Sequence, residues 1–156
     1  MKEQIKTIKI KKRLGKYIDL LREIDNQKKR LDLMEGAPAS PDLSGMPRPK
    51  GGVSDPTGRL VDRRMNLEEK IKAKEAEEAE EREFIEGMIE QLDNSDERAA
   101  MRLKYFDGYE WPDVTFILFG EKRDYIDQME SYQNRTYKIH GRALLKMADI
   151  LESIER

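Results

Sequence analysis

The sequence contains no cysteine and a single histidine among its 156 residues. A disulfide framework, a thiolate metal site and a histidine-based metal cluster are therefore all excluded. It also has no apolar stretch approaching the ~20 residues of a membrane span. Lysines interrupt the isoleucines near its start, where a signal peptide would have a continuous apolar core. We therefore expect a protein with no membrane partner that stays in the cytoplasm.

Hydrophobic residues are scarce as well, at 37% against 40% charged, and the mean hydropathy is −0.87. This composition leaves too little apolar material for one large core, whereas extended helices joined to a small domain need less. Acidic and basic residues nearly balance, 32 against 30. Bulk charge alone therefore does not indicate a nucleic-acid partner.

Proline and glycine are concentrated in one segment. Residues 36–58 hold five of the six prolines and five of the ten glycines, which predicts an irregular loop. On either side, residues 3–34 and 59–93 place apolar side chains at helical spacings. We predict an all-α fold in which residues 1–93 form an antiparallel helical hairpin, a coiled-coil arm with its loop at residues 36–58.

Opposite charges on the two halves of the arm favour this pairing. Residues 1–35 carry a net charge of +5 and residues 59–97 a net charge of −7. The hairpin sets the glutamate-rich residues 75–83 opposite five basic residues: Lys9, Lys11, Lys12, Arg13 and Lys16. An ordinary solvated helix face explains the charges equally well. Each helix has only a narrow apolar stripe, so we also expect a homo-oligomer formed through the arm.

The aromatic residues cluster later, between positions 105 and 137, and predict a small compact domain over residues 94–156. Within it, Asp107-Gly108 ends a first helix and Trp111-Pro112 begins a second. Phe119-Gly120 ends the second helix, and apolar spacing predicts a third over residues 132–151. This order is typical of a helix-turn-helix domain.

The third of these helices has the charge of a DNA-reading helix. Residues 132–147 contain four basic residues and no acidic one, namely Arg135, Lys138, Arg142 and Lys146. Such a face can neutralise phosphates and donate to guanine, and Gln133 and Asn134 can pair with adenine edges. A solvated basic face is the alternative. We predict these six residues as the DNA-binding site.

Two strings in this domain carry a resemblance to a known family: RLKYFDGYEWPDV from position 102 and YKIHGRAL from position 137. They resemble the region-4 helix-turn-helix of sigma factors, most closely in phage-encoded, sigma-like regulators of the ArpU and RinA type. The loop residues SGMPR, from position 44, resemble a loop of phage proteins with a similar arm. The chain departs from the pattern between Gly120 and Tyr132, where a sigma-type turn is much shorter.

The resemblance implies a phage or prophage transcription regulator, with late genes as possible targets. It would bind double-stranded DNA in the bacterial host cytoplasm, could contact host RNA polymerase, and would have no catalytic activity. Two other functions stay open: a DNA-packaging component such as a small terminase subunit, and an interaction protein whose head binds RNA polymerase instead of DNA. The arm precedes the head here, which argues against the terminase.

No residue pattern indicates an enzyme, a cofactor or a metal site. His140 has no neighbouring ligand in sequence, so we interpret it as a packed or phosphate-contacting side chain. Trp111, which precedes a proline and an apolar helix face, is interpreted as a core anchor instead of a base-stacking residue. The glycine-rich residues 49–54 lack the spacing of a phosphate-binding loop.

Overall fold

A computed structural model describes residues 2–35 and 56–156, and within these ranges the regular structure is helical. Most of the loop expected at residues 36–58 lies outside the described residues. The helices are α1 (Lys2–Glu35), α2 (Pro56–Glu90), α3 (Ser95–Met101), α4 (Trp111–Phe119) and α5 (Met129–Glu155). Helix α2 begins at Pro56, inside the expected loop, because proline is tolerated in the first turn of a helix.

Helices α1 and α2 pair as an antiparallel hairpin, which confirms the predicted all-α architecture. Residue numbers fall along α2 as they rise along α1: Arg13 binds Glu81 through two hydrogen bonds of 2.6 and 3.0 Å. Further along, Lys74 lies 3.2 Å from Glu23, and Arg64 lies 2.8 Å from Glu35. Exposed pairs of this kind contribute only about 0.2–1 kcal/mol each, so they set the register more than the stability.

Fewer basic residues of α1 pair with the glutamate-rich run than the sequence predicted. Among the basic residues expected to face the glutamate-rich run, Arg13 does so, and its guanidinium also lies 3.9 Å from the centre of the Phe84 ring. Lys9 instead pairs with Glu155 of α5, at 2.5 Å. Basic side chains in the early turns of α1 therefore form ion pairs with both α2 and α5.

The described residues divide into two compact units. One comprises residues 1–19 and 79–156, and the other residues 20–78. The second is the more thinly packed: Ile24, Leu67 and Ile71 are buried, while Leu33 and Met65 are mostly exposed. The domain boundary expected at residue 93 stays a prediction, and the contact units run across it.

The first unit begins with a densely packed stretch of α1 and α2. Its fully or almost fully buried side chains include Ile10, Leu14, Tyr17, Ile85 and Met88, and Leu92, just after the end of α2, is buried with them. The Tyr17 ring meets Phe106 edge to face, with ring centres 5.7 Å apart, so aromatic packing ties this stretch to the segment after α3.

Helix α3 starts at a conventional N-cap. The side-chain oxygen of Asn94 accepts hydrogen bonds from the backbone N–H groups of Asp96, at 2.9 Å, and Glu97, at 3.1 Å. The helix continues into a π-helical turn, Arg102–Phe106, in which the Asp107 N–H donates to the Arg102 carbonyl at 3.0 Å. Gly108 then adopts φ = 75°, a conformation that favours glycine, and ends the segment as predicted.

The connection between α4 and α5, residues 120–128, is built from successive turns. The Lys122 N–H donates to the Phe119 carbonyl at 3.0 Å, and the Gln128 N–H to the Asp124 carbonyl at 2.9 Å. Tyr125 is buried and packs with Val114, Phe119 and Ile139 in the core of the head. The burial of Tyr125 therefore attaches the long connection to the core of the head.

No helix within residues 2–35 and 56–156 combines the length and apolarity needed to cross a lipid bilayer.

We predict that Gly120→Ala destabilises the protein by about 1–3 kcal/mol, because an added methyl group overpacks the end of α4. A Cβ atom at Gly120 would come within 2.8 Å of the Phe116 ring and still closer to the Phe116 carbonyl oxygen. Urea unfolding measures the effect.

The matched control is Gly87→Ala, since a Cβ at Gly87 meets no described atom within 4 Å apart from the backbone of its own helix. This variant should gain about 0.5–1 kcal/mol from its higher helix propensity. Equal unfolding midpoints for the two variants would contradict the prediction.

Candidate nucleic-acid interface

Helix α5 presents one apolar face to the core and one polar face to solvent. It contains no proline, and Ile139, Ala143 and Met147 follow each other one turn apart and are buried against the head. The helix begins at Met129, three residues before the predicted start, because the polar residues ahead of Tyr132 already form its first turn. Packing of the apolar face thus determines which side chains remain accessible.

A pair of buried hydroxyl groups fixes α5 against α4. The Thr115 and Thr136 side-chain oxygens lie 3.0 Å apart. Each is also within hydrogen-bond distance of a carbonyl one turn earlier, that of Trp111 at 2.9 Å and that of Tyr132 at 3.0 Å. Since both hydroxyls are satisfied, the contact sets the rotation of α5 without an unpaired polar group.

Most of the predicted DNA-binding residues occupy the accessible side of α5. Asn134, Lys138 and Arg142 are exposed and lie one turn apart, which places them in a single row. Arg135 is also exposed, and its guanidinium lies 5.1 Å from the centre of the Phe119 ring. Gln133 is half-buried, and its amide donates to the Tyr137 hydroxyl at 3.1 Å. The structure therefore brings these five residues together on the first four turns of the helix.

The cations on the accessible side of α5 have no acidic partners. Within the described ranges, no carboxylate forms an ion pair with Arg135, Lys138 or Arg142. An unpaired cation on a rigid helix keeps its charge available to an external anion.

Lys146, the sixth predicted residue, is placed differently. Its ammonium contacts Glu97 at 2.9 Å and Asp93 at 3.0 Å, and the Glu97 side chain is almost fully buried. Hydrogen bonds to Glu97 and then to Asp93 raise the pKa of Lys146, and the same contact lowers the pKa of Asp93. Lys146 therefore compensates a buried carboxylate, and its role as a DNA contact stays a prediction.

His140 lies in an aromatic cluster behind the basic row. Its Nε2 atom is 2.8 Å from the Tyr105 hydroxyl, and its ring centre is 4.5 Å from that of Trp111. Burial, followed by the nearby charges of Lys11 and Lys104, lowers the pKa of His140 to about 4. Burial also raises the pKa of Tyr105 to about 12, so both groups are uncharged at neutral pH. Both predictions, of a packed histidine and of a tryptophan core anchor, agree with this arrangement.

Sequence reasoning missed one neighbour of the row. Lys11, near the start of α1, lines the same groove as Lys138 and Arg142 of α5. Helical periodicity within either segment carries no information about this proximity, because it arises from the packing of elements far apart in the chain.

The fold and this surface together define a helical hairpin followed by a small helical head with one exposed, basic helix. Comparison of the chain with models of protein families, with curated proteins and with solved structures found no match.

We predict that Lys146→Met lowers the midpoint of urea unfolding, because it leaves the buried Glu97 carboxylate without its cationic partner. Lys138→Met is the matched control: it makes the same change on the same helix at an exposed, unpaired lysine, where the effect should stay within about 0.5 kcal/mol. Adding Glu97→Gln to Lys146→Met should restore part of the loss. Equal midpoints for the two single variants would rule out the structural role of Lys146.

We also predict that His140 makes the protein less stable in mild acid. Its pKa is about 4 in the folded protein against an ordinary value of 6.5, so the unfolded chain takes up the proton first as the pH falls. The stability that this pKa shift provides is fully present above pH 6.5. It is lost as the pH falls toward the folded pKa, by about 3 kcal/mol in total.

The comparison is between the wild type and His140→Gln, each unfolded in urea near pH 7.5 and near pH 5. The wild type should lose more stability than the variant over this interval. His140 is the only histidine, so the acid sensitivity that remains in the variant comes from carboxyl groups. Identical losses would disprove the assignment.

Proposed function

We propose that this chain is a sequence-specific, double-stranded DNA-binding transcription regulator of phage or prophage origin, acting in the bacterial cytoplasm. The observation that carries the proposal is the row of unpaired basic side chains on the accessible side of α5, whose residues 132–147 include no acidic residue. The resemblance of the head to sigma region 4 supports a role in transcription, including that of late genes. The proposal includes no catalytic step and no cofactor.

In the proposed complex, the first turns of α5 enter the major groove. A helix of about 10–12 Å diameter fits a groove about 12 Å wide. Arg135 and Asn134, exposed near the start of the helix, would read base edges, with Gln133 beside them. Lys138 and Arg142 would lie against phosphates, where each neutralised phosphate releases counterions and strengthens binding at low salt.

The surrounding helices support this docking. Helix α4 precedes α5, packs against it, and is joined to it through the hydroxyl pair of Thr115 and Thr136. This arrangement holds the reading helix rigidly, as a helix-turn-helix requires. The turns of residues 120–128, anchored by buried Tyr125, replace the short turn of the sigma-type pattern.

The proposal includes self-association through the arm. In residues 20–78, Leu33 is 74% exposed and Met65 is 55% exposed, and Leu60 and Val61 are also exposed. Apolar side chains grouped on a thinly packed hairpin favour a contact with a second copy. A two-fold dimer would in turn predict an operator with two related half-sites. A contact between the head and host RNA polymerase is compatible with this arrangement.

A DNA-packaging component, such as a small terminase subunit, is the alternative function. The combination of a helical hairpin with a DNA-binding head favours it, and the order of arm and head disfavours it. Mass measurement in solution separates the two, since a regulator should form a dimer and a packaging component a ring of many subunits.

We predict that Lys138→Ala weakens binding to operator and random DNA to the same extent and lowers the salt slope by about one unit, since it removes one phosphate contact. Arg135→Ala should cost about 1–3 kcal/mol on the operator and relax its specificity, because it removes base contacts. The operator is first selected from a random duplex library, and binding is then titrated at several salt concentrations.

Lys72→Ala and Arg63→Ala are the matched controls, because each removes the same type of exposed side chain from α2. Both should bind as the wild type does. If the triple alanine variant at positions 135, 138 and 142 folds and binds with unchanged affinity, the proposed function is wrong.

A further inference from the structure

The early turns of α1 and the middle of α5 border an open groove of about 520 Å³. Gln4, Thr7 and Lys11 line it from α1, and Lys138, Gly141 and Arg142 line it from α5. Ion pairs beside the groove link the two helices, with Lys6 at 2.6 Å from Asp149 and Lys9 at 2.5 Å from Glu155. The groove is therefore a defined feature of one compact unit.

The basic side chains that line the groove form no ion pairs, whereas the basic side chains beside it do. Lys6, Lys9 and Arg13, on the same stretch of α1, each contact a carboxylate. Among the described residues, no ion pair forms at Lys11, Lys138 or Arg142. Glu3 is the acidic residue in the lining, so the groove carries an excess of positive charge. Three cations that line one groove without carboxylate partners suit an anion with several oxygen atoms.

Gly141 keeps the groove open. It lies inside α5, where glycine weakens a helix relative to alanine. Apart from the backbone of α5 itself, no described atom lies within 4 Å of the position that its Cβ would occupy, so no close packing of the fold demands a glycine there. A missing side chain at this point lets a ligand approach the helix backbone between Lys138 and Arg142.

We propose that this groove binds a phosphate of the nucleic-acid backbone, with Lys11 of the arm joining Lys138 and Arg142 of the head. The inference rests on the proposed function and extends it: the arm is part of the DNA-binding surface. Phosphate fits because its oxygens accept from several ammonium and guanidinium groups at once, and a duplex presents phosphates at a regular spacing beside the major groove.

The test uses the full chain and a short random-sequence DNA duplex, titrated by fluorescence anisotropy at several salt concentrations. Lys11→Ala should weaken binding about eightfold near 0.1 M salt and lower the salt slope by about 0.9, the values for one phosphate contact. Lys12→Ala, which removes the neighbouring exposed lysine outside the groove lining, should leave both values unchanged.

A second pair of variants tests the groove itself. Gly141→Met fills it without removing a charge and should weaken binding while the thermal unfolding temperature stays equal or rises. Gly87→Met makes the same substitution in α2, where an added Cβ also meets open space, and should bind as the wild type does.

The two proposals fail in different ways. If Lys11→Ala and Gly141→Met bind normally while the triple alanine variant of α5 loses affinity, the groove inference is overturned and the proposed function stands. If the wild-type chain does not bind the duplex at all, both are overturned.

Discussion

Burial of the apolar face of α5 is the constraint on which the rest of the head depends. Ile139, Ala143 and Met147 can leave water only if α3 and α4 cover them, and this covering sets the rotation of the helix. The row of Asn134, Lys138 and Arg142 faces solvent as a result. The exposure of these side chains is therefore a consequence of core packing.

The basic residues of the compact unit serve two distinct purposes. Lys146 compensates a buried glutamate, and Arg13 is held by a bidentate pair with Glu81, so both stabilise the fold. Lys138 and Arg142 are exposed and form no ion pair within the described ranges, so their charges remain open to solvent. Counting basic residues along a helix does not separate these purposes, whereas the position of the nearest carboxylate does.

Periodicity and composition were sufficient to predict the hairpin, the helix ends at Gly108 and Gly120, and the exposed basic helix. These features depend on local chemistry: helical spacing of apolar residues, and glycine or proline at the ends of elements. The π-helical turn at Arg102–Phe106 and the partners of Lys146 had no such local signal. The position of Lys11 in the groove likewise depends on how helices distant in sequence cross.

One compact unit draws on residues from both the early and the late part of the chain. The contact between Lys9 and Glu155 joins positions separated by 146 residues. Closing so long a loop has a large entropic cost and slows the folding of such contacts. During synthesis on the ribosome, the hairpin can pair before α5 has been made, but the groove cannot form. An incomplete nascent chain thus lacks the surface that α1 and α5 form together, and this surface appears only after α5 has left the exit tunnel.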